Sequence, residues 1–373
     1  MKIVIAAGGT GGHINPALSV AEELKKRDAN NKILFIGTAD RMEADLVPKA
    51  GFDFATISIS GFYRSFSPDA MRKNLRTLKR LLFVSGQVKK ILEDFKPDVV
   101  VGFGGYVSGP VVRTAHKMGI PTAIHEQNAF PGKTNIALSK YADAVMLTAG
   151  EAEKYMHAGE RAIVTGLPVR DDILSADRDF ARAQLQVGSR TLVFSTGGSL
   201  GSATVNDCMA QVIEKLAERK DIMFVHGCGK NGTDMLAALQ ARGITPESHP
   251  HIRVQEYIYD MASHLAACDL FINRAGASSL SEIQALGVVS LLIPSPNVTE
   301  NHQYHNAMAL VEKNAAYIVE EKDLTAQKVV DVIEECIANP EKHSRVGQNA
   351  KKMAKPEAKQ EICDIIIRLV SKK

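Results

Sequence analysis

The chain has 373 residues, with 45 Lys and Arg against 42 Asp and Glu, 45% apolar residues, 28 glycines and 14 prolines. That balance excludes a disordered or collagen-like chain, and the length suggests two domains, each large enough to bury a core. Five cysteines, all between residues 208 and 363 and without CxxC spacing, exclude a disulfide scaffold or metal knuckle and fit a reducing compartment. No stretch approaches the roughly 18–20 apolar residues of a membrane helix, and Ile3–Ala7 is too short for a signal-peptide core, so a cytoplasmic protein is expected. Residues 1–163 hold 22 basic and 16 acidic side chains and residues 164–373 hold 23 and 26, so only the first half invites an anionic surface.

In chain order, KIVIAA, GGTGGH and INPALSVAEELKKR read as strand, glycine-rich turn and helix. Ile14, Ala17, Leu18, Ala21 and Leu24 fall at helical spacing, with Asn15 expected as a cap and Pro16 in the first turn. Further strands are expected at Lys32–Gly37, Val99–Gly102, Thr122–His125 and Ala144–Thr148, alternating with helical patterns, which implies a parallel sheet covered on both faces. The arrangement then begins again with TLVFS, TGGSLGS, a helical stretch to about Arg219 and DIMFVH, followed by strands near Leu270–Asn273 and Ser290–Pro294. The expectation is an α/β chain of two tandem doubly wound domains, 1–163 and 164–354, with a cleft between them and a final helical stretch, 355–373, that packs on either one.

Three glycine-rich turns recur: GGTGGH at 8–13, GFGGYVSG at 102–109 and TGGSLGS at 196–202. Glycines between a buried strand and a helix let a ligand reach the backbone, and the helix start offers N–H groups and partial positive charge to a diphosphate. A single such turn signals equally well close strand–helix packing. GKT at 132–134 is no Walker A loop, because Gln127 stands where its first glycine belongs. GCGKNG at 227–232 matches G-x-G-x-x-G after a strand, but on the second unit of its domain, where a dinucleotide fingerprint is out of place.

Taken together, GGTGGHINPALSVAEEL (8–24), GTADRMEADLVPKAGF (37–52), KPDVVVGFGGYVSGP (96–110), IPTAIHEQNAFPGKTN (120–135), GLPVR (166–170), GGSLGS (197–202) and RAGASSLSEI (274–283) closely resemble the MurG family of bacterial N-acetylglucosaminyltransferases. The resemblance covers about four fifths of the chain, to at least Asn306. It implies a GT-B fold of two Rossmann-like domains facing a cleft, the first holding mainly the acceptor and the second mainly UDP-N-acetylglucosamine. It further implies inverting transfer of N-acetylglucosamine to the muramoyl 4-hydroxyl of lipid I, giving lipid II for peptidoglycan.

The same resemblance assigns roles. His13 closes the first glycine turn at a helix start, where an added proton is disfavoured, and is the expected general base. Glu126 is its rival, Asn128 is expected to bond the sugar or acceptor, and His125 to pack or orient a neighbour. Thr10, Gly11 and Gly12 complete that wall. Ser199 is expected to face the diphosphate, with Ala277, Ser278 and Ser279 near the donor and Glu282 on the ribose hydroxyls. Arg170 and the Ile258 backbone match positions around the uridine, and Gln303 an amide that reads the sugar. Leu167 and Leu200 depart from the family pattern, which often has asparagine and glutamine there.

No acidic pair or His/Cys cluster looks like a metal cage, and no obligatory metal or other cofactor is expected, helix ends supplying the charge stabilisation. Residues 62–92 interleave cations with apolar side chains, among them Arg72, Lys73, Leu75, Arg76, Leu78, Lys79, Leu82 and Phe83. This segment is expected to seat on an anionic membrane surface, each cation contributing on the order of 1 kcal/mol. The expected location is therefore peripheral, on the cytoplasmic face. Nucleic acid is excluded for want of an aromatic stacking platform. Two rivals remain, a related transferase with another lipid acceptor such as diacylglycerol, and a non-catalytic sugar-nucleotide-binding subunit.

Overall fold

In the first strand, β1 (Lys2–Ala6), Ile3 and Ile5 enter one apolar cluster while Val4 and Ala6 enter another. A strand buried on both faces belongs at the centre of a parallel sheet. The computed structural model describes residues 1–59, 83–198, 200–230 and 232–371. The remaining strands of the first sheet are β2 (Lys32–Gly37), β3 (Asp53–Thr56), β4 (Val99–Gly102), β5 (Thr122–Glu126), β6 (Ala144–Leu147) and β7 (Ala162–Val164). They lie in the order β3-β2-β1-β4-β5-β6-β7, all parallel.

The second sheet contains β8 (Thr191–Thr196), β9 (Ile222–Gly227), β10 (Ile252–Gln255), β11 (Leu270–Asn273), β12 (Ser290–Leu292) and β13 (Tyr317–Ile318). Its order, β10-β9-β8-β11-β12-β13, is again parallel throughout. The strands not anticipated from the sequence are β3, β7, β10 and β13, the two edges of each sheet.

Two compact units result, Met1–Pro168 with Pro356–Lys373, and Val169–Lys355. The chain leaves the first unit after Pro168 rather than at residue 163, because β7 pairs with β6 and completes that sheet. The last helix, Ala358–Ser371, belongs to the first unit: Ile362, Cys363, Ile365 and Ile366 join the cluster of Ala17, Val20 and Leu24. Arg27 ties the two helices through Asp364 at 2.5 Å and the Gln360 carbonyl at 3.1 Å.

The first helix, Gly11–Arg27, starts earlier than expected. Thr10 is its N-cap and accepts from the His13 and Ile14 amides at 3.1 and 3.2 Å, so Asn15 lies inside the helix instead of capping it. Pro16 therefore sits beyond the first turn, where it denies the Gly12 carbonyl its usual in-helix donor. Ile366 is fully buried in the first unit's core. Ile366→Ala is expected to lower unfolding free energy by about 2–5 kcal/mol in denaturant melts, through lost apolar contact and the cavity left behind.

Candidate active site

In each sheet the strand order reverses beside the first strand of the unit, β1 between β2 and β4, and β8 between β9 and β11. Ligands of open α/β sheets bind beyond the carboxyl ends of the strands at such a point. Three of the glycine turns follow β1, β4 and β8, and RAGASS follows β11, so all four open onto these positions.

In the first unit the two turns touch. Gly105 has φ +75°, and a Cβ there would lie 2.3 Å from the Gly8 carbonyl oxygen, so only glycine allows the approach. The helices Gly11–Arg27 and Gly105–Lys117 thus begin side by side, and the first-turn N–H groups of Gly11 and Gly12 lack in-helix acceptors. The His13 Nδ1 lies 3.2 Å from both the Gly8 carbonyl and Thr10 Oγ1. A carbonyl only accepts, so the ring fits as the Nδ1–H tautomer, which puts its lone pair on Nε2. The Nε2 edge lies over Gly104, 3.0 Å from where a Cβ would stand.

Two buried carboxylates hold this wall. Glu43, which the sequence reading passed over, accepts from the Gly9 amide at 3.0 Å, the Thr38 amide at 3.1 Å and Thr38 Oγ1 at 2.9 Å. It resembles any helix acid in sequence, and only its bonds to nearby Thr38 and to Gly9, 34 residues away, reveal it. Glu126, at the end of β5, accepts on one oxygen from the Asn128 amide (2.9 Å) and Asn128 Nδ2 (3.1 Å). Its other oxygen accepts from the Gly132 amide (3.1 Å) and Asn135 Nδ2 (2.9 Å). Burial pushes its pKa up, while these donors pull it down. The carboxylate is committed to shaping the 126–135 loop and placing Asn128.

The neighbouring His125 is fully buried, donates from Nε2 to the Gly166 carbonyl at 2.9 Å and stacks on Phe103. Burial lowers its pKa to about 4.

In the second unit a cavity of about 490 Å³ lies beyond β8 and β11, lined by Gly197, Gly198, Gly201, Asn273, Ser279 and Gln303 among others. Ala277, Ser278 and Ser279 form the first turn of the helix Ala277–Leu286, capped by Gly276 without a side-chain bond, so its first-turn N–H groups lack in-helix acceptors. Gln303 Oε1 accepts from the Ser295 amide at 2.8 Å, which leaves its NH2 as the group to offer a ligand. Arg274 joins Ser202 Oγ to Glu321 and so braces the start of the helix Ala203–Leu216. Leu200 is 69% exposed beside the cavity, and Ser199 lies outside the described residues.

Arg170 and Glu282, remote in sequence, meet here: Nε lies 3.6 Å from Oε1. Burial raises the Glu282 pKa and Arg170 opposes the rise. Ile258 is buried, its side chain reaching to 2.9 Å from where a Gly227 Cβ would stand. Leu167, where an amide was expected, is a buried apolar residue. Of the expected membrane-contacting residues, Arg72, Lys73, Leu75, Arg76, Leu78, Lys79 and Leu82 lie outside the described residues, while Phe83 is 79% exposed. Among the described residues, no helix is long and apolar enough to cross a membrane, and no cluster of three His, Cys, Asp or Glu side chains forms a metal site.

Two Rossmann-like parallel-sheet units, each with glycine turns at its switch point, define a chain of the GT-B fold class. The chain belongs to glycosyltransferase family 28: residues 3–147 match the family's N-terminal domain and residues 192–362 its C-terminal domain. It is 39% identical over 372 residues to a protein of Desulforamulus reducens, covering 99% of each chain. It is 40% identical over 374 residues to one of Acetivibrio thermocellus, covering 100% of this chain and 99% of that one. Both are named UDP-N-acetylglucosamine–N-acetylmuramyl-(pentapeptide) pyrophosphoryl-undecaprenol N-acetylglucosamine transferase. The crystal structure of Acinetobacter baumannii MurG superposes with a TM-score of 0.79 at 27% identity, covering 98% of this chain and 99% of that one.

Glu126→Gln turns one acceptor oxygen into a donor aimed at N–H groups, and a loss of about 1–3 kcal/mol is expected in denaturant melts. His125 and His226 are both fully buried with pKa values lowered to about 4. Each keeps its proton off in the folded chain but takes it up near pH 6.5 when unfolded, so stability is full above that pH. It should fall by on the order of 3 kcal/mol per histidine between pH 6.5 and 4, and melts across that range read the loss.

Proposed function

We propose that this chain transfers N-acetylglucosamine from UDP-N-acetylglucosamine to the muramoyl 4-hydroxyl of lipid I, with inversion at the anomeric carbon, forming lipid II. The observation that carries the reading is the full-length likeness to transferases of that name, which spans the switch-point turns of both units. The second unit holds the donor. Glu282, as carboxylate, accepts from the ribose hydroxyls, Arg170 and the Ile258 backbone flank the uridine, and Gln303 donates to the sugar. The Ala277–Ser279 helix start and the 197–202 turn, with Ser199, receive the diphosphate as it gains charge on leaving. Helix ends supply this stabilisation, so activity is expected to persist in excess chelator.

The first unit holds the acceptor against Thr10, Gly11, Gly12 and Asn128. His13 Nε2 takes the proton of the attacking hydroxyl, and the oxygen's electron pair forms the new glycosidic bond as the bond to the UDP oxygen breaks. Glu126, whose oxygens face four donors, positions Asn128 rather than acting as the base. Seating on an anionic membrane surface through the basic, apolar segment 62–92 would bring the lipid-linked acceptor within reach, on the cytoplasmic face.

His13→Ala is expected to lower kcat by about 10²- to 10⁴-fold in an assay with a lipid I analogue, with UDP affinity unchanged. Near-normal turnover would remove His13 as the base, and a diacylglycerol control separates this reading from a transferase with another acceptor. UDP affinity is expected to fall with decreasing pH from a point above the ordinary carboxylate range, because a raised pKa keeps Glu282 protonated to higher pH. Glu282→Gln should weaken binding and flatten that dependence in calorimetric titrations.

A further inference from the structure

The G-x-G-x-x-G stretch Gly227–Gly232 contributes nothing to the roles above, yet each of its glycines is sterically spent. A Cβ on Gly229, whose φ is +73°, would stand 2.3 Å from the Gly201 nitrogen and 2.5 Å from the Leu200 carbonyl carbon. A Cβ on Gly201 would stand 2.2 Å from the Cys228 carbonyl oxygen. One on Gly232 would collide with Cys228 itself, at 2.4 Å from its Cβ. A Cβ on Gly227 would meet Ile258 at 2.9 Å. The room that a dinucleotide's pyrophosphate needs over Gly229 is therefore filled by the Leu200–Gly201 backbone.

A buried polar chain secures the same contact. Asn206 Nδ2 donates to the Cys228 carbonyl at 2.8 Å, which leaves Asn206 Oδ1 to accept from His226 Nε2–H at 3.1 Å. The lone pair of His226 is then on Nδ1, where Ser195 Oγ donates at 2.7 Å. All three side chains are at most 3% exposed. Ser195 immediately precedes the 196–202 turn, and Asn206 sits in the first turns of the helix that follows it. On the other side, the Cys228 and Gly229 amides donate to the carbonyls of Gln255 and Glu256, just ahead of Ile258.

We infer that the Gly227–Gly229 stretch, locked by Ser195, His226 and Asn206, is a positioning device that sets the diphosphate turn and the uridine segment at once. The inference rests on the donor reading of the second unit. Asn206 and Gly229 are positioning residues: neither lines the cavity beyond β8 and β11, and both act through the backbone at Gly201.

The test is titration of the full chain with plain UDP, alongside thermal melts and donor kinetics, for wild type, Gly229→Ala, Asn206→Leu and Asn206→Asp. Gly229→Ala and Asn206→Leu are expected to weaken UDP binding about 10- to 100-fold, with the loss in donor KM larger than that in kcat. Asn206→Asp should bind no better than Asn206→Leu, because it turns a second oxygen toward the Cys228 carbonyl. A folded Asn206→Leu or Gly229→Ala chain with wild-type UDP affinity, whatever its melting temperature, would overturn the inference. So would recovery of affinity in Asn206→Asp. Wild-type chain that bound no UDP would strike first at the donor reading and take the inference with it.

Discussion

Parallel strands end together, and the helices that follow them begin together, so the positive ends of several helices gather at one edge of each sheet. The function proposed for this molecule uses that edge to hold anions with backbone N–H groups. Such donors are fixed in place and need no reorganisation when charge develops, but they work only if the ligand reaches the backbone. Close approach explains both the glycines and the contacts between turns, with Gly105 resting on the Gly8 carbonyl in one unit and Gly229 on Gly201 in the other.

A backbone site of this kind needs bracing, because turns without side chains have few contacts of their own. In the first unit, buried carboxylates provide it. Glu43 collects donors from Gly9 and Thr38, and Glu126 collects four from the loop that bears Asn128. Burying a carboxylate is costly unless its oxygens are satisfied, and these are, so removing one donor set should be felt throughout the turn it holds. In the second unit the bracing combines the Arg274–Glu321 ion pair at Ser202 with a neutral, directed chain from Ser195 through His226 and Asn206 to the Cys228 carbonyl.

The division of roles proposed for His13 and Glu126 rests on burial and hydrogen bonding, because residue type leaves it open. Both are titratable groups beside glycine turns, and sequence alone ranked them only by resemblance. The structure turns Nδ1 of His13 onto a carbonyl and so assigns its lone pair to Nε2, whereas both Glu126 oxygens face N–H groups. A base must present a lone pair to its substrate, and Glu126 would first have to surrender a donor.

Alternating apolar runs and glycine turns sufficed to show two doubly wound halves, the central strands, the turns at 8–13, 102–109 and 196–202, and, through motif likeness, the family. These features are local, since a strand buried on both faces must be apolar along its length and a helix start must follow its turn. Tertiary structure alone decided the edge strands β3, β7, β10 and β13, whose two to four residues are too few for a periodic signal, and the extension of the first unit to Pro168. It also moved the first helix cap from Asn15 to Thr10, paired Arg170 with Glu282, and exposed the roles of Glu43 and of GCGKNG. Each of these depends on which distant backbone lies within a few ångströms, and that is settled by packing, not by the spacing of residues along the chain.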